Sequence, residues 1–325
     1  MKTIAIIGAG QLGSRHLQAL AKVDYPIDVQ VVDPSNEALK IAKERFEQVM
    51  PAANVKQITF HNSLDELYSI LDFCIIATNA DIRGVIIEKL LFKKKVKYLI
   101  LEKILFQTEH EYGKIGQLIQ KHNVKTWVNC PRRMWPVYRE MREKNLIYNR
   151  ILEMNVAGSN WGLATSTIHM IDLLAFLTGV DDYNISHDYL DHNVLASKRK
   201  GFVEFTGSLK GVFKDGPFFS ISSYKNGNVP PIIELISEGQ IFVIGELCGR
   251  GLVFRRDGQW IPEEFLFGTP FQSQLSHLFI KQIIETGSCD LTSFEESAKL
   301  HKPMLECFMS FLKSIGKEVE KCPVT

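Results

Sequence analysis

The residues best suited to chemistry stand near the start of the chain. Gly8-Ala9-Gly10-Gln11-Leu12-Gly13 follows an apolar run, Thr3 to Ile7, and opens an amphipathic helical pattern. In that context each glycine serves a steric purpose. Gly8 permits a tight turn, Gly10 lets a pyrophosphate approach the backbone, and Gly13 allows the helix to pack closely on the strand. Gln11 and Leu12 begin the helix, whose unpaired N–H groups and partial positive charge hold phosphate without a lysine. Asp33 lies twenty residues beyond Gly13, where a carboxylate accepts hydrogen bonds from ribose hydroxyls and repels a 2′-phosphate. The cofactor expected is therefore NAD(H) rather than NADP(H). Ala77-Thr78-Asn79, at the carboxyl end of a later strand, is assigned to cofactor contact as well; a polar cap for the helix after Asp81 is its alternative.

These groups need a doubly wound parallel sheet to hold them. Thr3 to Ile7, Val29 to Val32, Phe73 to Ala77, Tyr98 to Leu101 and Thr126 to Val128 are apolar throughout, as strands covered on both faces require. Between them, Leu12 to Val23, Glu37 to Phe46, Ile82 to Leu91 and Tyr112 to His122 carry apolar residues three and four apart, which predicts crossover helices. Beyond about residue 150 the period changes. Val203, Phe205 and Leu209 alternate with polar residues, and Ile232 to Ser237 and Gln240 to Ile244 flank a turn at Glu238-Gly239. A helix over about Thr165 to Leu177, ended by Gly179, precedes this sheet, and helices over Phe271 to Thr286 and Phe294 to Ile315 follow it. The expectation is an α/β Rossmann domain over 1–130 and an α+β second domain over 131–325 with a mostly antiparallel, open-faced sheet. C-terminal helices of the second domain are free to pack back on the first.

The 325 residues carry 38 Lys and Arg against 37 Asp and Glu, so there is no net field to gather nucleic acid or an anionic membrane. A small ligand is expected. Six scattered cysteines without a Cys-x-x-Cys pair argue against a zinc ribbon or a disulfide framework. No leader pattern and no apolar run of membrane-spanning length is present, which makes the cytoplasm the expected compartment. His187 and His192, five apart on an expected strand, point to opposite faces and are not read as a metal site; no metal is expected.

The run Gly8 to Leu17, with Ser14-Arg15-His16, then Ala77-Thr78-Asn79 and Glu102-Lys103, resembles the glucose-fructose oxidoreductase and inositol dehydrogenase family. Arg133-Met134-Trp135-Pro136 is similar to that family's Arg-aromatic-x-Pro segment, and His169-x-x-Asp172-Leu173-Leu174 to its substrate-domain helix. The resemblance implies hydride exchange with a sugar or cyclitol at a nicotinamide lying between the two domains. It implies a cofactor-edge role for Glu102, and chemistry for Lys103, in the position of a Glu-Lys-Pro lysine, and for His169. Two departures stand out: Ile104 replaces the proline, and Thr165 stands where the family has Asp four residues before the histidine.

Oxidation of an alcohol requires a group that takes the hydroxyl proton while hydride leaves the same carbon. Lys103, at the end of a parallel strand, suits a hydrogen bond to the substrate oxygen, or simple solvation. His169 titrates near neutrality and suits a general base, or packing in a core. Thr165 lies one turn earlier on the same face and can only hydrogen-bond neutrally, unless Asp172 supplies the missing charge. Arg133 suits either clamping a substrate or pairing with an acid. Trp161, between Asn160 and Gly162, offers an indole face for a sugar ring, or a core contact.

The function expected is an NAD-dependent oxidoreductase acting on a hydroxyl-bearing carbon of a polyhydroxylated small molecule. An NAD-binding sensor without dehydrogenase activity and a redox-neutral sugar-modifying enzyme with internally recycled NAD remain as alternatives. The uncovered face of an antiparallel sheet predicts a homodimer or homotetramer.

Overall fold

The computed structural model describes residues 1–49, 53–145 and 150–325. The chain divides into two compact units, residues 1–131 with 270–295, and residues 132–269 with 296–325. Residues 270–295, inside the range expected for the second domain, thus group with the first unit.

In the first unit the strands are β1 (Lys2–Ile7), β2 (Ile27–Val32), β3 (Val55–His61), β4 (Ile70–Ile76), β5 (Lys95–Leu101) and β6 (Lys125–Val128). The helices among them are α1 (Gln11–Leu20), α2 (Asn36–Glu47), α3 (Ala80–Lys93) and α4 (Glu109–Lys121). These six strands run parallel in the order 6-5-4-1-2-3. Ile4, Ile6, Phe73 and Ile75 have no exposed surface, and each such burial contributes about 1.5–3 kcal/mol. The strand order reverses between β1 and β4, and ligands of open α/β sheets bind at the carboxyl ends of the strands flanking such a point. β3 falls outside the five apolar runs because it is an edge strand whose residues stay partly or fully exposed.

The second unit opens with the short α5 (Pro136–Glu140), then β7 (Ile151–Ser159), α6 (Leu163–Thr178) and β8 (Tyr183–Leu190). β9 (Leu195–Ala196) and β10 (Val203–Glu204) form a separate ribbon. β11 (Gly207–Phe213), β12 (Phe218–Tyr224), β13 (Ile232–Ser237), β14 (Gln240–Gly245), β15 (Arg250–Arg255) and β16 (Glu263–Leu266) complete an eight-stranded sheet in the order 16-15-14-13-7-12-11-8. The sheet is antiparallel except where β7 runs parallel to β12. The expected hairpin at Glu238-Gly239 is β13–β14. The alternation from Val203 to Lys210 is not one strand but two, broken at Gly207. There φ is +100°, and a side chain would run into the Tyr189 carbonyl.

Two elements return to the first unit: α7 (Ser276–Thr286) and β17 (Thr292–Ser293), which pairs antiparallel with β6. α7 starts later than Phe271 because residues 272–274 form a tight turn, in which the Gln274 side chain accepts the Phe271 N–H. α8 (Phe294–Ser314) ends the regular structure, its residues from Glu296 onward belonging to the second unit. Among the described residues no helix is long and apolar enough to cross a membrane.

Candidate nucleotide and proton-transfer sites

The turn after β1 is built as its glycines require. Gly8 has φ +94° and lies against the Ala77 backbone, so the loops ending β1 and β4 touch. A Cβ on Gly13 would collide with the Gly8 carbonyl oxygen, which ties helix α1 to the turn. A Cβ on Gly10 would meet no protein atom within 4 Å. Gly10 also caps α1 without any side-chain bond, leaving the N–H groups of the first turn, including those of Gln11 and Leu12, outside the helix's own bonding pattern.

A cavity of about 620 Å³ opens onto this turn and gathers Gly8, Gly10, Asp33, Ala77, Thr78 and Asn79. Asp33 Oδ2 accepts the Ala9 N–H at 2.7 Å and Oδ1 accepts the Ser35 N–H at 2.8 Å. Each oxygen keeps a further lone pair for a hydroxyl donor. Thr78 Oγ1 is buried without a hydrogen-bond partner among the described residues. The open space at Gly10, the uncapped α1 and this unmatched hydroxyl fit a dinucleotide. Apolar Leu64, Ile82 and Ile86 line the same cavity, as do Asn62, Lys89 and Lys93, the last paired with Asp65 at 2.6 Å. Gln11, Leu12, Gly13, Glu102 and Lys103 lie outside the cavity lining.

Glu102, expected at the cofactor edge, is 2% exposed and belongs to a buried polar cluster. His16 Nε2 lies 2.8 Å from its Oε1, and Asn129 Nδ2 donates to the same oxygen at 2.6 Å. His16 Nδ1 lies 2.8 Å from Ser276 Oγ, and Asn129 Nδ2 also donates to Gln272 Oε1 at 2.8 Å. Burial pushes the Glu102 carboxyl up, but the His16 bond and charge, the Asn129 bond and the Lys103 charge outweigh it and hold the group below the usual carboxylate range. Lys103, half-buried, follows directly and is joined to Ile104 by a cis peptide bond. Arg83, 1% exposed, fixes this loop: its guanidinium donates to the carbonyls of Ile104, Leu105 and Thr78. One buried cation thereby fastens the Lys103 loop to the Thr78 loop. Sequence alone does not disclose this, because Arg83 in an otherwise ordinary helix carries no motif.

In the second unit α6 is buried almost all round; of its residues Thr165, Ser166, His169 and Thr178 are not buried. The first three share one face at helical spacing. Thr165 Oγ1 donates to Glu204 Oε1 at 2.7 Å, and the Ala164 N–H to Glu204 Oε2 at 2.8 Å. Trp161 is half-buried and its indole N–H donates to the Ser222 carbonyl at 2.8 Å. Arg133, 6% exposed, binds Asp172 through Nε and Nη2, both at 2.9 Å, and Glu296 at 2.7 and 3.2 Å. Of the two roles open to Arg133, pairing with acid is the one the structure displays; its clamping of a substrate is set aside. Asp172 is correspondingly paired with Arg133 through both of its oxygens. Among the described residues no group of three His, Cys, Asp or Glu side chains is placed to hold a metal ion.

Residues 2–130 match the model of the Gfo/Idh/MocA family, an oxidoreductase family with an NAD-binding Rossmann fold. No curated protein sequence matches the chain. Among solved structures, the chain is similar to a scyllo-inositol dehydrogenase from Lactobacillus casei with bound NAD(H) and scyllo-inositol, at 17% identity and TM-score 0.68, covering 99% of both chains. It is similar to the MviM dehydrogenase from Clostridium difficile, at 19% identity and TM-score 0.69, covering 95% of this chain and 99% of that one. It is also similar to a super-repressor mutant of Gal80p from Saccharomyces cerevisiae, at 15% identity and TM-score 0.73, covering 96% of both. At these identities the likeness is one of fold: an NAD-binding Rossmann domain with a second, mostly antiparallel domain.

Proposed function

We propose that the protein is an NAD-dependent oxidoreductase acting on a hydroxyl-bearing carbon of a polyhydroxylated small molecule. The observation that carries this is the cavity in which Gly8, Gly10, Asp33 and Thr78 meet. Gly10 and the first turn of α1 are assigned to the pyrophosphate, Asp33 to the adenosine ribose, and Thr78 to the remaining polar edge of the nucleotide. When bound, NAD supplies the ring that accepts or donates hydride. The chain's part is binding, orientation and proton transfer. Lys103 is assigned a hydrogen bond to the substrate oxygen, on a loop that Arg83 holds rigid. His169 is assigned the hydroxyl proton, since it lies on the accessible polar stripe of an otherwise buried helix. The match of residues 2–130 to an oxidoreductase family and the fold shared with an inositol dehydrogenase support the class.

The sheet's second face supports self-association. Leu235, Phe242 and Val253 are buried on one side, while Ile236, Ile241, Val243, Leu252 and Phe254 stay partly or fully exposed on the other. Ile236 pairs with Ile241, Ile241 with Phe254, and Val243 with Leu252, so these side chains form an apolar cluster on the second side, bordered by Glu234 opposite Val243 and Glu153 opposite Ile236. A homodimer or homotetramer is proposed to cover it. The cytoplasm is the proposed compartment, on the scattered cysteines.

A second proposal, an NAD-binding regulator, draws on Thr165 and on the fold shared with a protein described as a super-repressor. Nicotinamide absorbance over a panel of inositols, aldoses and nucleotide sugars, read together with product analysis of each incubation, separates the two. Substrate-dependent reduction supports the oxidoreductase; tight NAD binding with no product from any compound supports the regulator. Altered sugar without net reduction would mark internal recycling of the cofactor.

A further inference from the structure

Helix α3 is apolar on two sides. Its inner side, with Ile87, Leu90 and Leu91, is buried in the first unit. On its outer side Ile82, Val85 and Phe92 are 47%, 52% and 86% exposed. A crossover helix ordinarily turns polar and charged residues to water, as α4 does with Glu109, Lys114, Gln117 and Lys121. Ile82, Val85, Lys89 and Phe92 are spaced i, i+3, i+7 and i+10, so they stand in one row along the outer side. That is the spacing by which one helix seats another, with a single lysine in the row.

Phe92 and the half-buried Leu118 of α4 line a groove of about 530 Å³ between the two helices. Lys89, Lys93, Lys114 and Lys121 line it as well, against one carboxylate, Glu88. Lys114 pairs with Glu88 at 2.7 Å and Lys93 with Asp65 at 2.6 Å. Lys89 and Lys121 are exposed and have no acid partner among the described residues. The groove thus joins apolar contact to uncompensated positive charge, in a chain whose net charge is only +1.

These features select the occupant. A second copy of the chain would set this patch against itself, lysine facing lysine, and like charges brought together oppose association. A lipid surface supplies negative charge but no side chains to seat between two helices. An acidic helix supplies both.

We infer that the α3–α4 groove docks an amphipathic helix of a partner protein, one whose apolar row is flanked by Asp and Glu. Val85 and Phe92 pack against the apolar row, and Lys89 and Lys121 pair with the acids beside it. The inference does not rest on the oxidoreductase proposal. Lys89 and Lys93 also line the nucleotide cavity, whereas Phe92 and Lys121 do not, so the test variants are confined to the latter two.

The probe is a labelled helical peptide of about 20 residues, long enough to be helical alone, with leucines at the docking spacing and glutamates on the flanks. A second peptide carries lysine in place of glutamate. With the full chain, wild type is expected to bind the glutamate peptide saturably and at least about 10-fold more tightly than the lysine peptide. Phe92→Asp should weaken that binding about 10- to 100-fold. Lys121→Glu should weaken the glutamate peptide and strengthen the lysine peptide, while both variants keep wild-type melting temperature and NAD(H) binding. Equal affinity of wild type for the two peptides, binding of neither, or binding untouched by Phe92→Asp overturns the inference. So does co-sedimentation with phosphatidylglycerol vesicles that Phe92→Asp abolishes while neither peptide binds, which assigns the face to a membrane. A dimer that Phe92→Asp converts to monomer in analytical ultracentrifugation overturns it too, in favour of a second copy.

Discussion

Asp33 Oδ2 accepts the Ala9 N–H at 2.7 Å, so the carboxylate that follows β2 is fastened to the middle of the glycine turn that opens α1. Recognition of the ribose and of the pyrophosphate is thereby coupled. Asp33→Ala removes an acceptor from the ribose and loosens the turn at once. Losing a charged hydrogen bond of this kind costs about 1.5–3 kcal/mol, so NAD(H) affinity is expected to fall about 10- to 100-fold. NADP(H), freed from carboxylate repulsion, is expected to lose much less. Parallel titrations of both cofactors into the variant check this; an equal loss for both would remove Asp33 as the discriminating group.

Gly10 and Gly13 lie three residues apart and are expected to behave oppositely. Gly13→Ala drives a methyl into the Gly8 carbonyl and should lower the melting temperature along with binding. Gly10→Val meets no protein atom near its Cβ and should fold normally while losing nucleotide affinity. Scanning calorimetry beside a binding titration separates the two effects. A normal melting temperature for Gly13→Ala would contradict the packing described.

The buried Glu102–His16 contact gives stability a pH dependence of known sign. Glu102 is held below its ordinary value of 4.5 in the folded chain. Its contribution is therefore present above about pH 4.5 and is lost as pH falls through the depressed folded value. Urea unfolding from pH 7 down to pH 3 should show wild type losing stability over the acid end. Glu102→Gln should be less stable by about 1–3 kcal/mol at pH 7 with a flatter acid limb. An acid limb as steep in the variant as in wild type would mean that other carboxylates carry the effect.

Arg133 between Asp172 and Glu296 predicts strong non-additivity. Asp172→Leu leaves a buried guanidinium with the partly exposed Glu296 as its remaining acid among the described residues and should cost about 3–5 kcal/mol. The double variant Arg133→Met with Asp172→Leu should recover much of that loss. A double-mutant cycle in urea measures it, and simple additivity would show that the pair is not energetically coupled.

What the sequence discloses here is what depends on local spacing. The glycine turn, Asp33 and the loop at Ala77 are each set by neighbours within a strand-turn-helix unit, and the structure gathers Gly8, Asp33 and Ala77 around one cavity. The α6 stop at Gly179 is equally local, a left-handed residue with φ +75°. Contacts that join distant segments leave no such trace. Glu204 reaches Thr165 across 39 residues, and Asn129 reaches Gln272 across 143. β3 escapes a reading by apolar runs because an edge strand with exposed faces needs none. Arg133 leaves two roles open because an arginine that clamps a ligand and one that binds Asp172 have the same sequence.

The most direct test of the central claim is calorimetric titration of NADH and NADPH into wild type and Gly10→Val, with the melting temperature of each protein recorded on the same samples. Wild type is predicted to bind NADH more tightly than NADPH, and Gly10→Val to lose NADH binding at an unchanged melting temperature. No binding of either cofactor to wild type, or equal NADH binding by both proteins, would contradict the claim.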